Sequence, residues 1–200
     1  MQQRIVIVNT GCANISSVKF AFDRLGVHVT VSDDHSIIQA ADKVLLPGVG
    51  SASAAMASIQ SKQLTEPLRA LTQPVLGVCL GMQLMVSSSE ESREGRTACL
   101  DLIPGEVKRM QVGEKRLPHM GWNSVTPTHQ QDLFKHIPSG SFFYFVHSYC
   151  VEPFAHTLAT CEYGQTFSAA IQKDNFFGVQ FHPERSGDAG AQLLKNFVSL

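Results

Sequence analysis

The chain has 200 residues, of which 44% are hydrophobic and 16% charged, and its formal net charge at pH 7 is −1. This size and composition predict one compact globular domain over residues 1–200, with room for a substantial core. The sequence lacks a run of lysine and arginine and lacks an apolar run near the ~20 residues that a membrane helix needs, so neither a nucleic-acid nor a membrane partner is expected.

The first half of the chain alternates apolar, strand-type runs with amphipathic helical patterns. The predicted strands are Ile5–Val8, Val27–Val31, Val44–Leu46 and an apolar run beginning at Pro74, and the predicted helices cover about 15–25, 52–60 and 66–71. Strands alternating with helices at this spacing indicate βαβ units and a parallel sheet.

The second half begins with a polar stretch from Ser87 and then becomes rich in strand-forming residues. The predicted strands are 106–110, 142–149, 157–161, 167–171 and 176–181, with a helical turn at 133–137 and a final helix at 189–198. The segment 117–123 is unusual because it places the only tryptophan beside a histidine, a methionine and a glycine.

The cysteines are odd in number and scattered, and none forms a C-x-x-C pair. They are Cys12, Cys79, Cys99, Cys150 and Cys161. This pattern favours free thiols in a reducing cytoplasm over a disulfide framework or a zinc site. The apolar run near the N-terminus is also too short for a signal peptide. We therefore expect a cytoplasmic protein without a bound metal.

One cysteine has the setting of a nucleophile. Cys79 follows a strand-type run, precedes a helical pattern and has glycine two residues away on either side, at Gly77 and Gly81. This is the nucleophile-elbow pattern with cysteine in the place of serine, and the tight turn needs glycine because flanking Cβ atoms would collide. Unpaired N–H groups at the helix start favour an anion there. A small buried cysteine in an ordinary turn is the competing interpretation.

A base for this nucleophile is found near the end of the chain, at His182-Pro183-Glu184. In extended backbone, His182 and Glu184 would face the same way, and Pro183 favours extended backbone at His182. A carboxylate that orients a histidine ring leaves the other ring nitrogen free to act as a base. The alternative is a surface histidine beside a solvated glutamate.

The oxyanion hole that such chemistry needs has two candidate sources of backbone donors. Elbow enzymes take one N–H from the residue after the nucleophile, here Leu80, and one from a loop after an earlier strand. The loop Gly48-Val49-Gly50 follows such a strand, although it is also compatible with an ordinary strand-to-helix turn.

The segments 47–50, 77–83 and 178–184 together resemble the class I, or triad, glutamine amidotransferases. The segments 118–123 and 146–149 and the short chain make it most similar to the glutaminase subunits of imidazole glycerol phosphate synthases. This resemblance implies a flavodoxin-like α/β fold, with a central mostly parallel sheet flanked by helices and an antiparallel extension. It also implies that Cys79 attacks the glutamine side-chain amide, with His182 as base and Glu184 as its orienting acid, and that no cofactor is needed.

The resemblance further implies substrate and partner contacts. Gly48, Gln83, Ser148 and Tyr149 would hold glutamine, although Gln83 could instead be a solvated helix residue. The expected partner is a (β/α)₈-barrel cyclase in a heterodimer, which receives the ammonia. The positions expected near it are Asn14, Met120, Trp122 and Arg185. Without the resemblance, Met120 and Trp122 would be taken as core residues and Arg185 as a solvated charge.

Three other functions stay open. The first is an ammonia-supplying glutaminase of another pathway, such as pyridoxal phosphate synthesis. The second is a cysteine hydrolase of the related protease and deglycase type, although those usually have histidine directly after the nucleophile, where this chain has Leu80. The third is a non-catalytic subunit that keeps the fold and binds a partner.

Overall fold

The computed structural model describes residues 3–11, 13–92 and 95–200, and Cys12 lies outside these ranges. Its strands are β1 Ile5–Val8, β2 Val29–Ser32, β3 Lys43–Gly48, β4 Val75–Cys79, β5 Ser88–Ser89, β6 Thr97–Ala98, β7 Glu106–Arg109, β8 His119–Pro127, β9 Ser141–His147, β10 Tyr149–Val151, β11 Thr157–Glu162, β12 Thr166–Lys173 and β13 Phe176–Val179. Its helices are α1 Ile15–Arg24, α2 His35–Gln39, α3 Ala52–Ser61, α4 Thr65–Arg69, α5 Leu80–Met85 and α6 Gly187–Ser199, with 3₁₀ turns at Asp132–Phe134 and Pro183–Arg185.

A large mixed sheet forms the centre of the fold. Its strand order is β2-β1-β3-β4-β13-β12-β11-β8-β9, and a smaller sheet has the order β10-β7-β5-β6. The pairs from β2 to β13 are parallel, and those from β13 to β9 are antiparallel. The expected parallel sheet with an antiparallel extension is therefore confirmed.

Apolar side chains fill both faces of this sheet, as expected for parallel strands covered by helices. One cluster includes Phe22, Phe143 and Phe197, and the other includes Leu46 and Leu84, all nearly inaccessible to solvent. Full burial of one such side chain contributes about 1.5–3 kcal/mol.

The strand register brings the predicted active-site segments together. Gly48 at the end of β3 pairs with Cys79 at the end of β4, and Val78 pairs with Val179 of β13. The chain reaches His182 three residues beyond β13. Because the carboxyl ends of parallel strands meet at one edge, this edge is where an α/β fold commonly places its site.

The sequence prediction missed helix α2, strand β8 and the two-residue strands β5 and β6. Helix α2 is short, and its start is fixed by Asp34, whose side chain accepts hydrogen bonds from the backbone of Ser36 and Ile37. Strand β8 was missed because two of its inward positions hold His119 and Asn123, a buried and a half-buried polar residue, which hide the apolar alternation.

The single strand predicted over 142–149 is wrong, because it divides at Ser148. Strand β9 ends at His147 in the large sheet, and β10 begins at Tyr149 and pairs with β7 in the smaller sheet. Between them, the Ser148 carbonyl accepts a hydrogen bond from the Met110 N–H. The break places the Ser148–Tyr149 backbone at the edge of the candidate site.

Candidate active site

Cys79 stands on a strained elbow between β4 and α5. Its φ of +54° and ψ of −112° are a conformation that non-glycine residues rarely adopt, which is typical of a residue held in place for a function. A Cβ on Gly81 would lie 1.8 Å from the Leu46 carbonyl oxygen, and one on Gly77 would lie 2.7 Å from the Gly81 backbone. The expectation that Gly77 and Gly81 make room for the turn is therefore confirmed.

His182 and Glu184 form a buried pair. His182 Nδ1 lies 2.7 Å from Glu184 Oε1, and the two side chains are only 9% and 6% exposed. His182 is extended, as expected, but Pro183–Arg185 is a 3₁₀ turn, so the predicted extended geometry for Glu184 is wrong. The turn, rather than the alternation of a strand, brings the carboxylate to the ring.

The backbone of His182 is anchored to β9. Its N–H donates to the Tyr144 carbonyl at 2.9 Å, and its carbonyl accepts from the Ser186 hydroxyl at 2.6 Å. The same hydroxyl accepts from the Tyr144 N–H at 2.9 Å. Ser186 is almost fully buried, so this bridge fixes the ring position from behind the site.

The electrostatics of His182 suit a base that faces a sulfur. Burial lowers its pKa, but the interactions of the ring with the nearby Cys79 and Glu184 outweigh burial and raise the pKa of His182 to about 10. Within the described ranges, Nε2 is buried and has no hydrogen-bond partner. The ring nitrogen that does not face Glu184 is therefore free to exchange a proton with the thiol.

A cavity of about 290 Å³ joins these groups. Cys79, His182 and Glu184 all line it, as do the candidate oxyanion residues Val49, Gly50 and Leu80. The predicted substrate and interface residues that also line it are Gly48, Gln83, Ser148, Tyr149, Asn14 and Arg185. The cavity thus brings these residues together from five separate segments of the chain, around positions 14, 48–50, 79–83, 148–149 and 182–185.

Gln83 is buried and anchored, which excludes a solvated helix position. Its Nε2 donates to the Tyr149 carbonyl at 3.0 Å and to Gln180 Oε1 at 2.9 Å. Gln180 is fully buried, and its Nε2 donates to Cys79 Sγ at 3.8 Å. Sequence reasoning gave Gln180 no role, because its link to Gln83 spans 97 positions of sequence.

Glu91 is a second residue that the sequence prediction missed. It lines the same cavity, and burial raises the pKa of its carboxyl group. The polar segment around it carries several acidic residues and no motif that distinguishes one of them.

The predicted interface residues lie at the surface, and two of them, Asn14 and Arg185, also line the cavity. Met120 is 62% and Trp122 is 55% exposed, so the alternative that they belong to the core is excluded. Trp122 meets Tyr144 edge-on, and the Arg185 guanidinium lies 6.0 Å from the centre of the Tyr144 ring. Asn14 is exposed and precedes α1, but its side chain makes no capping hydrogen bond.

The other cysteines in the described ranges are free and buried. Burial raises the pKa of the Cys99 thiol to about 11 and is the main cause of a pKa of about 12 for Cys150 and Cys161. A thiol with so high a pKa is a poor nucleophile at neutral pH.

Neither a metal centre nor a membrane span is found in the part of the chain that the structure describes. There, no three or more His, Cys, Asp or Glu side chains are placed to hold a metal ion. None of the helices in that part combines the length and apolar character needed to span a bilayer.

Comparison with known proteins gives consistent matches over the whole chain. Residues 6–200 match the glutamine amidotransferase class-I family. The chain is 56% identical to the imidazole glycerol phosphate synthase subunit HisH of Pasteurella multocida, over 98% of both chains. It is 52% identical to the protein of that name from Vibrio cholerae, over 100% of both chains.

Solved structures support the fold at lower sequence identity. A putative GMP synthase protein from Thermoplasma acidophilum superposes with a TM-score of 0.75 at 18% identity, covering 100% of this chain and 94% of that one. The structure of PurLQS from Thermotoga maritima gives a TM-score of 0.72 at 17% identity, covering 100% and 99%. These two neighbours bear on the fold alone.

Proposed function

The chain belongs to the class I glutamine amidotransferase family and, within it, to the glutaminase subunits of imidazole glycerol phosphate synthase, and on that premise we propose that Cys79, His182 and Glu184 hydrolyse L-glutamine. The products are glutamate and ammonia. The observation that carries this proposal is that the buried His182–Glu184 pair lines the same cavity as the strained Cys79. The second ring nitrogen of His182, Nε2, has no hydrogen-bond partner within the protein as described. No cofactor takes part in these steps.

The first half of the reaction forms a thioester. As the raised pKa of His182 requires, the proton of the Cys79 thiol lies on His182 Nε2 before the attack, and Cys79 Sγ then attacks the carbonyl carbon of the glutamine side-chain amide. The C–N bond then breaks, and His182 returns the proton to the departing nitrogen, which leaves as ammonia. Glu184 accepts from Nδ1–H and stabilises the charged ring, and Cys79 and then Glu184 are the groups that raise the pKa of His182.

The second half returns the enzyme to its starting state. His182 takes a proton from a water molecule, whose oxygen attacks the thioester carbonyl carbon, and the C–S bond breaks to release glutamate. The proton stays on the ring beside the thiolate, as before the attack. The backbone N–H of Leu80 and one from Val49 or Gly50 stabilise the oxyanion in both halves, and loss of one such donor typically costs about 3 kcal/mol.

The opposite end of glutamine carries a charged ammonium and a carboxylate. Both Nε2 hydrogens of Gln83 are used within the protein, so Oε1 is the atom through which Gln83 would accept from the ammonium. Glu91 supplies a carboxylate in the same cavity, whereas Glu184 is engaged with His182. Gly48 and the backbone at Ser148 and Tyr149 complete the substrate contacts.

The ammonia passes to a cyclase subunit of the (β/α)₈-barrel type, which forms a heterodimer with this chain. It incorporates the ammonia to make imidazole glycerol phosphate and aminoimidazole carboxamide ribotide in histidine biosynthesis. This reaction belongs to the reducing cytoplasm.

We define the docking face as Met120, Trp122, Phe142, Tyr144 and Arg185. On β8 and β9, Met120 is paired with Val146, Trp122 with Tyr144 and Ser124 with Phe142, so these residues share one side of the sheet.

Two alternatives are weaker. A glutaminase serving pyridoxal phosphate synthesis is disfavoured by the full-length identity of 52–56% to synthase subunits. A non-catalytic subunit is disfavoured because Cys79 keeps a strained conformation that binding alone does not need.

Cys79→Ser, assayed in complex with the cyclase and its nucleotide substrate, tests the catalytic part of the proposal. We expect product formation from glutamine to be lost, while product formation from added ammonium salt is retained. Cys99→Ala is the matched control, because Cys99 is buried away from the cavity. Equal loss of both activities in Cys79→Ser would instead make Cys79 a structural residue.

Trp122→Ala tests the docking face. We expect weaker binding of the cyclase with unchanged thermal stability of the isolated chain, since the side chain is 55% exposed. Val31→Ala is the control: Val31 is 37% exposed on β2, at the opposite edge of the sheet from β9. Equal cyclase affinity for the two variants would contradict the proposed face.

A further inference from the structure

A pair of buried histidines lies at one wall of the cavity, and one of the two lines it. His119 on β8 and His147 on β9 are register partners and are 3% and 7% exposed. His119 Nδ1 lies 2.9 Å from His147 Nε2. The triad chemistry uses neither residue.

The neighbours of this pair determine where its protons lie. His147 Nδ1 is 2.9 Å from the Tyr149 carbonyl oxygen, which can only accept, so Nδ1 carries the hydrogen. His147 Nε2 must then accept from His119 Nδ1. His119 Nε2 in turn accepts from Asn123 Nδ2 at 3.2 Å, and that amide is oriented by a second bond to the Glu162 carbonyl at 2.9 Å.

This chain of hydrogen bonds requires both rings to be neutral, since a charged ring would place two N–H donors face to face. Burial favours the neutral state and lowers the pKa of His119 to about 4 and that of His147 to about 3. Stacking of His119 on Phe145 and Tyr163, at 4.9 and 4.1 Å between ring centres, adds to its fixed position. One tautomer of each ring is therefore selected.

The chain of hydrogen bonds ends at the substrate-binding backbone. The Tyr149 carbonyl accepts from both His147 Nδ1 and Gln83 Nε2, at 2.9 and 3.0 Å. Because a carbonyl oxygen has two lone pairs, both are used, and the peptide is fixed where the chain passes from the large sheet to the smaller one. His147, Tyr149 and Gln83 all line the cavity.

We propose that His147 is a positioning residue for glutamine binding: its Nδ1–H fixes the Tyr149 carbonyl and thereby Gln83, and His119 holds His147 in the tautomer that makes this bond. The inference rests on the proposed glutaminase function and adds to it the hydrogen bonds that fix the position of Gln83 in the substrate site. It also connects that site to the docking face, because His119 adjoins Met120 and lies on the same strand as Trp122.

The test compares His147→Phe and His147→Asn in the complex with the cyclase. Phe keeps an aromatic ring but removes the donor, so we expect KM for glutamine to rise about tenfold while kcat changes less than threefold, as loss of one buried hydrogen bond implies. Asn places an amide N–H near the position of Nδ1 and should recover most of the KM. His129→Asn is the control, since His129 is exposed and does not line this cavity.

A second measurement does not depend on the folding of a variant. Nitrogen-15 NMR of the unsubstituted protein should show His147 protonated at Nδ1 only, and His119 protonated at Nδ1 only, from pH 6 to 8. Either ring protonated at Nε2 would overturn the proposal, as would an unchanged KM in a folded His147→Phe variant. If the unsubstituted complex hydrolysed no glutamine, the proposed function itself would fail, which is a different result.

Discussion

The side-chain amides of Gln83 and Gln180 meet at 2.9 Å, and Gln180 extends the contact to the sulfur of Cys79 at 3.8 Å. Gln83 comes from helix α5, which follows Cys79, and Gln180 comes from the segment between β13 and His182. The buried Gln180 side chain thus contacts both Gln83, which we propose binds the substrate, and Cys79 Sγ, which we propose is the nucleophile.

We expect Gln180→Glu to slow the reaction at the sulfur. The variant keeps an acceptor for Gln83 Nε2 but replaces the N–H that faces Cys79 with a carboxylate, which repels a developing thiolate. We expect kcat for glutamine hydrolysis and the rate of alkylation by iodoacetamide to fall about tenfold or more, because hydrogen bonds to charged groups contribute about 1.5–3 kcal/mol. Gln172→Glu, on β12 away from the cavity, should leave both rates unchanged. Unchanged alkylation in Gln180→Glu would contradict this role.

Glu184→Gln tests the orienting carboxylate. The substitution removes the negative charge that favours the imidazolium, so the pKa of His182 should move down from about 10, and glutamine hydrolysis should fall about 10²–10⁴-fold. NMR titration of the ring and steady-state kinetics measure the two effects. An unshifted His182 titration would show that Glu184 does not set the ring's charge.

The same pair makes stability depend on pH in a defined direction. A folded pKa above the ordinary His value of about 6.5 stabilises the fold fully below pH 6.5, and this contribution is lost as the pH rises through about 10. Glu184→Gln should therefore have a lower free energy of unfolding than the unsubstituted protein, and the difference should be largest near pH 6. The difference should become smaller above pH 10, and urea unfolding at a series of pH values measures it.

The sequence predicted those parts of the candidate site that depend on residues close in sequence, although the 3₁₀ turn that brings Glu184 to His182 was not among them. The glycines around Cys79 and the spacing of His182 and Glu184 are local patterns, and each carries its own physical reason. Gln180 and Glu91 acquire their roles from contacts made by folding, and the His119–His147 contact joins residues 28 positions apart. Strand β8 was missed for a related reason: a polar network occupies inward positions that an apolar pattern would have revealed.

Gly81→Ala tests whether the elbow depends on close backbone approach. The added Cβ would lie 1.8 Å from the Leu46 carbonyl oxygen, a backbone atom that no side-chain rotation can move aside. We expect the free energy of unfolding in urea to fall by about 3 kcal/mol or more, at the upper end for overpacked cores. The control is Gly105→Ala, whose Cβ would meet its nearest neighbour, Val86 Cγ1, at 3.4 Å. Equal stability of the two variants would mean that the elbow relaxes freely.

Glu91→Gln tests recognition of the glutamine ammonium. The substitution keeps the shape of the side chain and removes its charge, so we expect KM for glutamine to rise about 10- to 100-fold with kcat nearly unchanged, as loss of a charge-assisted hydrogen bond implies. Since burial raises the pKa of Glu91, KM of the unsubstituted enzyme should also rise on acidification at a pH above the ordinary glutamate range, and this rise should vanish in the variant. Glu90→Gln, an exposed neighbour that does not line the cavity, is the control. Matching KM values for the two variants would assign the ammonium to other groups.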